Sequence, residues 1–330
     1  MIYRRRLITG SLSASLVAAF ALWASLARAQ AIAKGARMLV GFPPGGAPDV
    51  VGRLVIEDSK GYAPSIIVEN HPGAGGRRAL EALKKAEADG SVFALTPGDQ
   101  LSLFPHVYRT LGYDPLRDFT PVTTVCTVPF LFVVGPLVPE RVKTLAQFID
   151  WCRANPQLAS YGSAGVGTLP HLLGASLAQK AGFEFVHSPY KGGVQAMQDL
   201  LAGQLAAAVF TVAPLLGHVQ SGRLRALATT AAQLSPLLPN VPTIRETGYP
   251  ALEGVVWLGI LVPAATPTDI VASLNVIVRR SLESDAVKVG LASQALDAAG
   301  CSPSEFTELI KADTRRWGDL VKDAGFAPME

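Results

Sequence analysis

The chain has 330 residues, of which 49% are hydrophobic and 17% are charged, so it is long enough to bury a sizeable core in two lobes. Its 31 glycines and 24 prolines are dispersed, which excludes a low-complexity chain and is typical of a turn-rich globular protein. The formal net charge is +3, but residues 1–29 hold four arginines and no acid, so the rest of the chain has a net charge of −1. No basic run remains there to indicate nucleic acid or anionic lipid as a partner.

The first residues have the pattern of an export signal. The basic segment Arg4-Arg5-Arg6 precedes an apolar run, Leu16 to Leu26, whose 11 residues are too few to span a bilayer. Ala27-Arg28-Ala29 matches a small-x-small cleavage site. We therefore predict a signal peptide cleaved near Ala29, export by the Sec route and a periplasmic location. A retained membrane anchor is the alternative, and the residues after the arginines fit twin-arginine export poorly.

Strands and helices alternate in the first part of the chain. Apolar runs bounded by turn residues predict strands, and apolar residues at helical spacing predict helices. The predicted strands are 37–42, 65–69 and 91–95, and the predicted helices are about 47–60 and 76–88. Such alternation indicates right-handed βαβ units around a parallel sheet, whose ligands bind at the carboxyl ends of the strands.

A second series of strands and helices follows a proline-containing connection over 97–120. The capping box Thr144-Leu-Ala-Gln147 opens one of its helices. The predicted strands of this series are 121–126, 130–134, 159–162, 184–188, 205–210 and 224–229, and its helices are about 144–154, 168–181, 192–202 and 212–221. We expect this series to have a core of its own.

The end of the chain is predicted to pack back onto the first lobe. It contains an apolar strand at 254–262 and helices near 267–283 and 303–323. Ser302 is the predicted N-cap of the last helix, and Gly325 is its predicted stop.

These elements predict an α/β fold with two lobes, each a βα sheet domain. The predicted domains are a signal peptide at 1–29, lobe 1 at 30–125 and 254–330, and lobe 2 at 126–253. Two strands, near 121–127 and 250–256, are expected to cross between the lobes.

Two glycine turns each join a predicted strand to a predicted helix. The first runs from Phe42 to Asp49 and the second from Ser163 to Thr168. The first N–H groups of a helix have no partner inside it, and the helix dipole is positive there. The turns therefore predict a carboxylate site, and because they contain no arginine or lysine, this neutral site suits a small dianion that must be released again. We expect the two turns to face each other across a cleft. Alternatively, the glycines serve only to make tight turns.

Several residue types in these turns suit carboxylate binding. Close backbone approach and hydroxyl donation are predicted at Gly45, Gly46, Gly165, Gly167, Ser163 and Thr168. Phe42 is either a wall of the site or a core residue. Asp49 either stabilises the start of the helix or contacts the ligand, although an acid would repel a bound carboxylate. His171 either contacts the ligand or is a hydrogen-bonded structural histidine.

Catalytic and metal-binding motifs are missing from the sequence. Ser163 has Tyr161 two positions before it, so no Gly-x-Ser-x-Gly elbow is present. No P-loop, complete dinucleotide fingerprint or HExxH motif occurs. The three cysteines, Cys126, Cys152 and Cys301, allow at most one internal disulfide and are interpreted as buried small hydrophobic residues. We therefore expect a binding protein without catalysis, cofactor or metal.

A set of motifs, in order, resembles the periplasmic receptors of tripartite tricarboxylate transporters, the Bug family. The resemblance covers about residues 36–325. The motifs are Phe42-Pro-Pro-Gly-Gly46 with Asp49, Val68-Glu-Asn-x-Pro-Gly-Ala-Gly-Gly76, Tyr113-Asp-Pro115, Ser163-Ala-Gly-x-Gly167, Pro189-Tyr-Lys-Gly192, Leu200-x-x-Gly-Gln204, Leu238-Pro-x-Val-Pro-Thr243 and Ala312-x-x-x-x-Trp-Gly318.

The resemblance implies a type II-like, two-lobed periplasmic binding protein that closes on a small mono-, di- or tricarboxylate. It implies that the turns Phe42–Asp49 and Ser163–Thr168 hold one carboxylate, partly through waters, and that the loaded receptor docks on membrane permease subunits. Thr211 stands where many members carry an acid suited to an amino group, which makes an amino-dicarboxylate less suitable. His71, Arg77, Arg78 and Ala79 also depart from the family pattern.

We expect a monomeric receptor that binds no nucleic acid. One alternative is a ligand-sensing partner of a sensor kinase. Another is a hydrolase on the same scaffold that uses Ser163 and His171.

Overall fold

The computed structural model describes residues 32–191, 193–323, 326, 328 and 329. The predicted signal peptide and the predicted helix stop at Gly325 lie outside these residues. Within the described part, no helix combines the length and apolar character needed to cross a membrane.

The described elements alternate along most of the chain. In chain order they are β1 Ala36–Val40, α1 Ala47–Asp58, β2 Ile66–Asn70, α2 Arg77–Lys84, β3 Val92–Pro97, α3 Asp99–Ser102, α4 Phe104–Val107, β4 Phe119–Val128, β5 Phe130–Val134, α5 Leu145–Ala154, β6 Ser160–Ser163, α6 Leu169–Ala181, β7 Val186–Pro189, α7 Gly193–Leu201, β8 Ala207–Thr211, α8 Val212–Gln220, β9 Arg225–Thr229, β10 Val256–Pro263, α9 Thr268–Glu283, α10 Asp285–Ser293, β11 Asp297–Ala298 and α11 Pro303–Asp323.

The strands form two sheets, one in each lobe. The first has the strand order β11-β4-β10-β3-β1-β2 and the second has the order β7-β6-β8-β5-β9. Strands β1, β2 and β3 are parallel, as are β6, β7 and β8. Strand β10 is antiparallel to its neighbours β3 and β4, and β5 is antiparallel to β8 and β9. The first sheet is therefore mixed where a parallel sheet was predicted, and the second sheet is mixed as well.

The mixed pairing follows from the way the chain passes between the lobes. Only Pro129 separates β4 from β5, so no helix intervenes to return the chain in the parallel sense. The second passage runs from β9 to β10, and there the predicted strand at 250–256 is wrong for most of its length. Because Pro250 opens a short 3₁₀ turn that ends at Leu252, regular strand begins only at Val256.

The first sheet is covered on both faces, as the alternation of side chains along β1 demonstrates. Met38 and Val40 join a core with α1, α9 and α10, whereas Leu39 joins a core with α2 and α11. Successive side chains of a strand point to opposite faces, so a strand buried on both sides reads as a continuous apolar run.

The largest apolar cluster contains residues from both lobes. Phe104 of α4 and Trp317 of α11 pack in the same cluster as Phe132 and Leu172 of the second lobe. Helix α11 therefore contributes both to a core of the first sheet and to the cluster that it shares with the second lobe. Its predicted N-cap is confirmed, since the Glu305 amide donates to Ser302 Oγ at 3.3 Å.

Some elements were not predicted. The connection over 97–120 contains the short helices α3 and α4, and helix α10 begins after Ser284, whose hydroxyl accepts from the Val287 amide. Predicted helix 76–88 ends early, at Lys84, ahead of the turn at Gly90, which has φ +83°. All three cysteines are free; Cys126 and Cys152 are buried, and Cys301 is half-buried.

We predict that Gly174→Ala destabilises the protein by about 1–3 kcal/mol, because a Cβ at this position of α6 would overlap the buried ring of Tyr161 on β6. Gly217 in α8 is a matched control, since a Cβ there meets no atom within 4 Å. Gly217→Ala should stabilise by up to about 1 kcal/mol through helix propensity. Urea unfolding of both variants checks this, and equal effects of the two substitutions would contradict the close packing of α6 on β6.

Candidate functional site

Both glycine turns line one cavity of about 240 Å³ between the two sheets. The first turn contributes Phe42, Pro43, Gly45 and Gly46, and the helix after it contributes Ala47 and Pro48. The second turn contributes Ala164 and Thr168. Each turn follows the carboxyl end of a strand, β1 or β6, which is where open α/β sheets bind ligands.

The first turn is held by its own hydrogen bonds. The Gly45 amide donates to Asp49 Oδ2 at 2.9 Å, and the Gly46 amide donates to the Pro43 carbonyl at 3.2 Å. Gly45 has φ +80°, a conformation that glycine adopts without strain. These two amides are therefore engaged within the turn, and the glycines serve its shape.

Asp49 is buried beneath this turn and does not line the cavity. Burial raises the pKa of Asp49, but hydrogen bonds from Arg53, Gly45 and Asn70 outweigh burial and bring the pKa below its usual value. The ionised Asp49 thus fixes the turn from behind.

Unpartnered amides remain in the first turn of α1. The N–H groups of Ala47 and Asp49 precede the first i→i−4 bond, which the Val50 amide makes to Gly46. Ala47 lines the cavity, so its N–H is placed to bind an anion there.

The second turn is also held by its own side chains. Thr168 Oγ1 donates to the Gly165 carbonyl at 2.9 Å, and Ser163 Oγ reaches the same carbonyl at 3.2 Å. Gly165 and Gly167 have φ of +126° and +77°. Of these residues only Thr168 lines the cavity; Gly165 lines a neighbouring one. The hydroxyl groups of Ser163 and Thr168 therefore shape the turn.

His171 supports the second turn from inside the lobe. Its Nδ1 accepts from the Gly167 amide at 3.0 Å, and its ring stacks on His187 with the centroids 3.8 Å apart. His187 Nε2 lies 2.7 Å from Ser163 Oγ. Burial lowers the pKa of His171 to about 4, and burial together with the His171 ring lowers the pKa of His187 to about 3. Both imidazoles are neutral near pH 7, which lets His171 Nδ1 accept its bond.

Three helix N-termini meet at the cavity. The N-cap residues of α1, α6 and α8 are Gly46, Thr168 and Thr211, and all three line it. None makes a side-chain capping bond. The convergence of positive dipole ends favours an anion in the cavity without any cationic side chain.

Asp99 was not predicted from the sequence. It is the first residue of α3, it lines the cavity, and its Oδ2 accepts from the Leu169 amide of the other lobe at 3.2 Å. Burial raises the pKa of Asp99 to about 6, although the amides of Leu169 and Gln100 oppose this. The signal that would have identified it is an acid just after the carboxyl end of a strand, β3.

The rest of the lining is mainly apolar, and apart from Phe42 its large apolar residues were not predicted. Gln294 is a further polar side chain there, from the C-terminal part of the first lobe. The large apolar residues are Phe42, Val128, Phe130, Val194, Phe210, Val256 and Leu258. No described lining residue is an arginine, lysine or histidine.

A second cavity, of about 360 Å³, borders the first at Phe42 and Ala164. It is lined by Arg77, whose guanidinium lies 4.0 Å from the centre of the Tyr108 ring, and by Lys191. The Tyr108 hydroxyl donates to the Val166 carbonyl across the lobes at 2.7 Å. Among the residues described, no group of three or more potential metal ligands is found.

The sequence resembles receptors of one transporter family. A family model described as "Tripartite tricarboxylate transporter family receptor" matches residues 51–326. BugT of Bordetella pertussis is 32% identical over 301 residues, 89% of this chain and 90% of that protein. A UPF0065 protein from the tcbD-tcbE intergenic region of Pseudomonas sp. (strain P51) is 32% identical over 324 residues, 96% of this chain and 94% of that protein.

Solved structures of periplasmic binding proteins are also similar to this chain. R. palustris Rpa4515 with adipate is 32% identical, with a TM-score of 0.84 over 90% of this chain and 99% of that one. MatC from Rhodopseudomonas palustris with bound malate is 26% identical, with a TM-score of 0.80 over 87% and 99%. The periplasmic binding protein BugD is 27% identical, with a TM-score of 0.83 over 90% and 99%. The predicted two-lobed periplasmic binding fold is confirmed.

We predict that Asp99→Asn weakens the pH dependence of stability. The folded pKa of about 6 exceeds the ordinary 3.8, so both states are protonated at lower pH and Asp99 then has no effect. As pH rises from about 3.8 to about 6, the unfolded chain releases this proton while the folded protein keeps it, so stability falls. Above about 6 both states are ionised, and the loss is complete. Asn keeps an acceptor for Leu169 but cannot ionise.

Urea unfolding of both proteins between about pH 4 and about pH 7 checks this prediction. The stability of the Asn variant relative to wild type should rise over this range by about 1–3 kcal/mol. A difference that stays constant with pH would mean that Asp99 does not titrate there.

Proposed function

Because the chain belongs to the tripartite tricarboxylate transporter receptor family, we propose that it binds a small organic carboxylate between its lobes and delivers it to the permease of such a transporter. The receptor does not transform its ligand. It acts in the periplasm as a monomer, after a signal peptide has been removed near Ala29.

The observation that carries this proposal is the meeting of three helix N-termini in one cavity. Gly46, Thr168 and Thr211 begin these helices, and the N–H of Ala47 has no partner within its helix. Partial positive charge from backbone dipoles binds a carboxylate reversibly, which suits a receptor that must release its ligand. The adipate and malate in the structures of related proteins are carboxylates of this kind.

The direct hydrogen bonds would come from the backbone. We assign the side chains of Asp49, Ser163, Thr168 and His171 to holding the two turns, since each is bonded within them. Lobe 1 would comprise 30–125 and 254–330, and lobe 2 would comprise 126–253. Closure of the two lobes would bring both turns onto one carboxylate.

The hydrolase alternative is disfavoured by burial. Ser163 has no exposed surface and contacts His187, whereas His171 is engaged with the Gly167 amide. A nucleophile must reach its substrate, and Ser163 does not line the cavity.

The sensor-kinase alternative shares the same ligand site and differs only in the partner, which a pull-down with the permease subunits or with a kinase ectodomain would distinguish.

Isothermal titration of the purified protein with mono-, di- and tricarboxylates tests the proposal. We expect at least one to bind with a Kd of about 1 μM or tighter, equivalent to about −8 kcal/mol, and to be recovered unchanged. Failure of every carboxylate to bind, or conversion of the bound compound, would overturn the proposal.

Ala47→Pro tests the role of the backbone amide. Proline is tolerated at the first position of a helix but has no N–H, so the helix should persist while the donor is lost. We expect carboxylate affinity to fall about tenfold or more, as one hydrogen bond to a charged group contributes about 1.5–3 kcal/mol.

Thr268→Pro is the matched control. Thr268 is the exposed first residue of α9 and does not line the cavity. It should leave both affinity and melting temperature nearly unchanged. If Ala47→Pro binds as tightly as this control, the amide of Ala47 does not hold the ligand.

A further inference from the structure

The lining of the cavity combines the N-cap residues Gly46, Thr168 and Thr211 with mainly apolar side chains. Apart from the polar Asp99 and Gln294, its large side chains have no hydrogen-bonding group. They are Phe42, Val128, Phe130, Val194, Phe210, Val256 and Leu258. A ligand that fills this volume must place hydrocarbon against these residues, because burying polar groups without partners is costly.

A second negative charge on the ligand would find no cationic side chain in the described lining. No described residue of the cavity is cationic, and the carboxyl of Asp99 already lies there, bonded to the Leu169 amide. A second carboxylate on the ligand would lose its hydration and would lie near a group of like charge. Gln294 is neutral and can accommodate an uncharged polar substituent.

The size of the cavity limits the apolar part of the ligand. Its volume of about 240 Å³ is near the low end of small-molecule sites, which are typically about 300–1,000 Å³. Val194 lies at the first turn of α7 with 53% of its surface exposed, although it lines the cavity. An exposed apolar side chain at the opening is expected to be covered when a ligand binds.

Building on the proposed function, we propose that the ligand is a small monocarboxylate with an apolar body, such as a single ring or a short alkyl chain. Its carboxylate lies at the helix N-termini, and its hydrocarbon part packs against Phe130, Phe210 and Val194. Dicarboxylates and tricarboxylates bind more weakly because their second charge enters the apolar part.

Titration of matched pairs of acids tests this inference. The pairs are benzoate with terephthalate and hexanoate with adipate, and citrate represents the tricarboxylates. We expect each monocarboxylate to bind about tenfold or more tightly than its dicarboxylate and than citrate. Tighter binding of the dicarboxylates or of citrate overturns this inference but leaves the proposed function intact. If no acid binds, the proposed function itself is wrong, so the two failures are distinguishable.

Val194→Thr tests the apolar contact without changing the shape of the side chain. It should weaken binding of the preferred monocarboxylate about three- to tenfold, since a methyl group in contact with ligand becomes a hydroxyl. Val276→Thr is the control, because Val276 is 60% exposed on α9 and does not line the cavity. Equal affinities of the two variants would contradict the predicted contact.

Val194→Lys tests whether the lack of a cationic side chain explains the weaker binding of dicarboxylates, because it should increase the affinity for them. A cation at the opening should reduce the preference for benzoate over terephthalate about tenfold. An unchanged ratio would contradict the placement of the second carboxylate in this cavity. A second carboxylate bound instead at Arg77 and Lys191 of the neighbouring cavity would appear as a dicarboxylate preference that Arg77→Ala removes, and it would overturn the inference.

Discussion

The site depends on a constraint of the backbone, namely that every N–H group removed from water needs an acceptor. In the first turn, the Gly45 and Gly46 amides are satisfied by Asp49 and by a carbonyl, and in the second turn the Gly167 amide is satisfied by His171. What is left are the first amides of α1 and α8, which no helix can satisfy for itself, whereas at α6 the Leu169 amide is bonded to Asp99. Both turns are thus rigid supports that bring the starts of α1 and α6 to a shared cavity.

A site of this kind binds a negatively charged ligand without a cationic side chain in its described lining to neutralise it. Backbone dipoles stabilise an anion without a mobile cation that could form alternative ion pairs in the empty cleft. Asp99 adds a restriction, because it links the lobes through Leu169 and also brings an ionisable acid into the same space. The carboxyl group of Asp99 therefore affects the contact between the lobes, the charge inside the cavity and the choice of ligand together.

Local features of the fold and of the site were predictable from the sequence, whereas features that depend on contacts between distant segments were not. Glycine turns between a strand and a helix, and the caps at Thr144 and Ser302, are set by neighbouring residues. Asp99 and Gln294 reach the cavity only through the arrangement of the two lobes. His187 reaches Ser163 because β7 pairs with β6, a register that periodicity alone does not specify.

The order of elements along the chain also affects when the protein can fold. Strand β10 occupies an interior position of the first sheet, and α11 contributes to apolar clusters of both lobes, yet both come from the last quarter of the sequence. Because synthesis starts at the N-terminus, the first sheet cannot be completed until this final part of the chain has been made. A chain that ended before β10 would lack an interior strand of this sheet, and the edges of β3 and β4 that pair with β10 would have no partner.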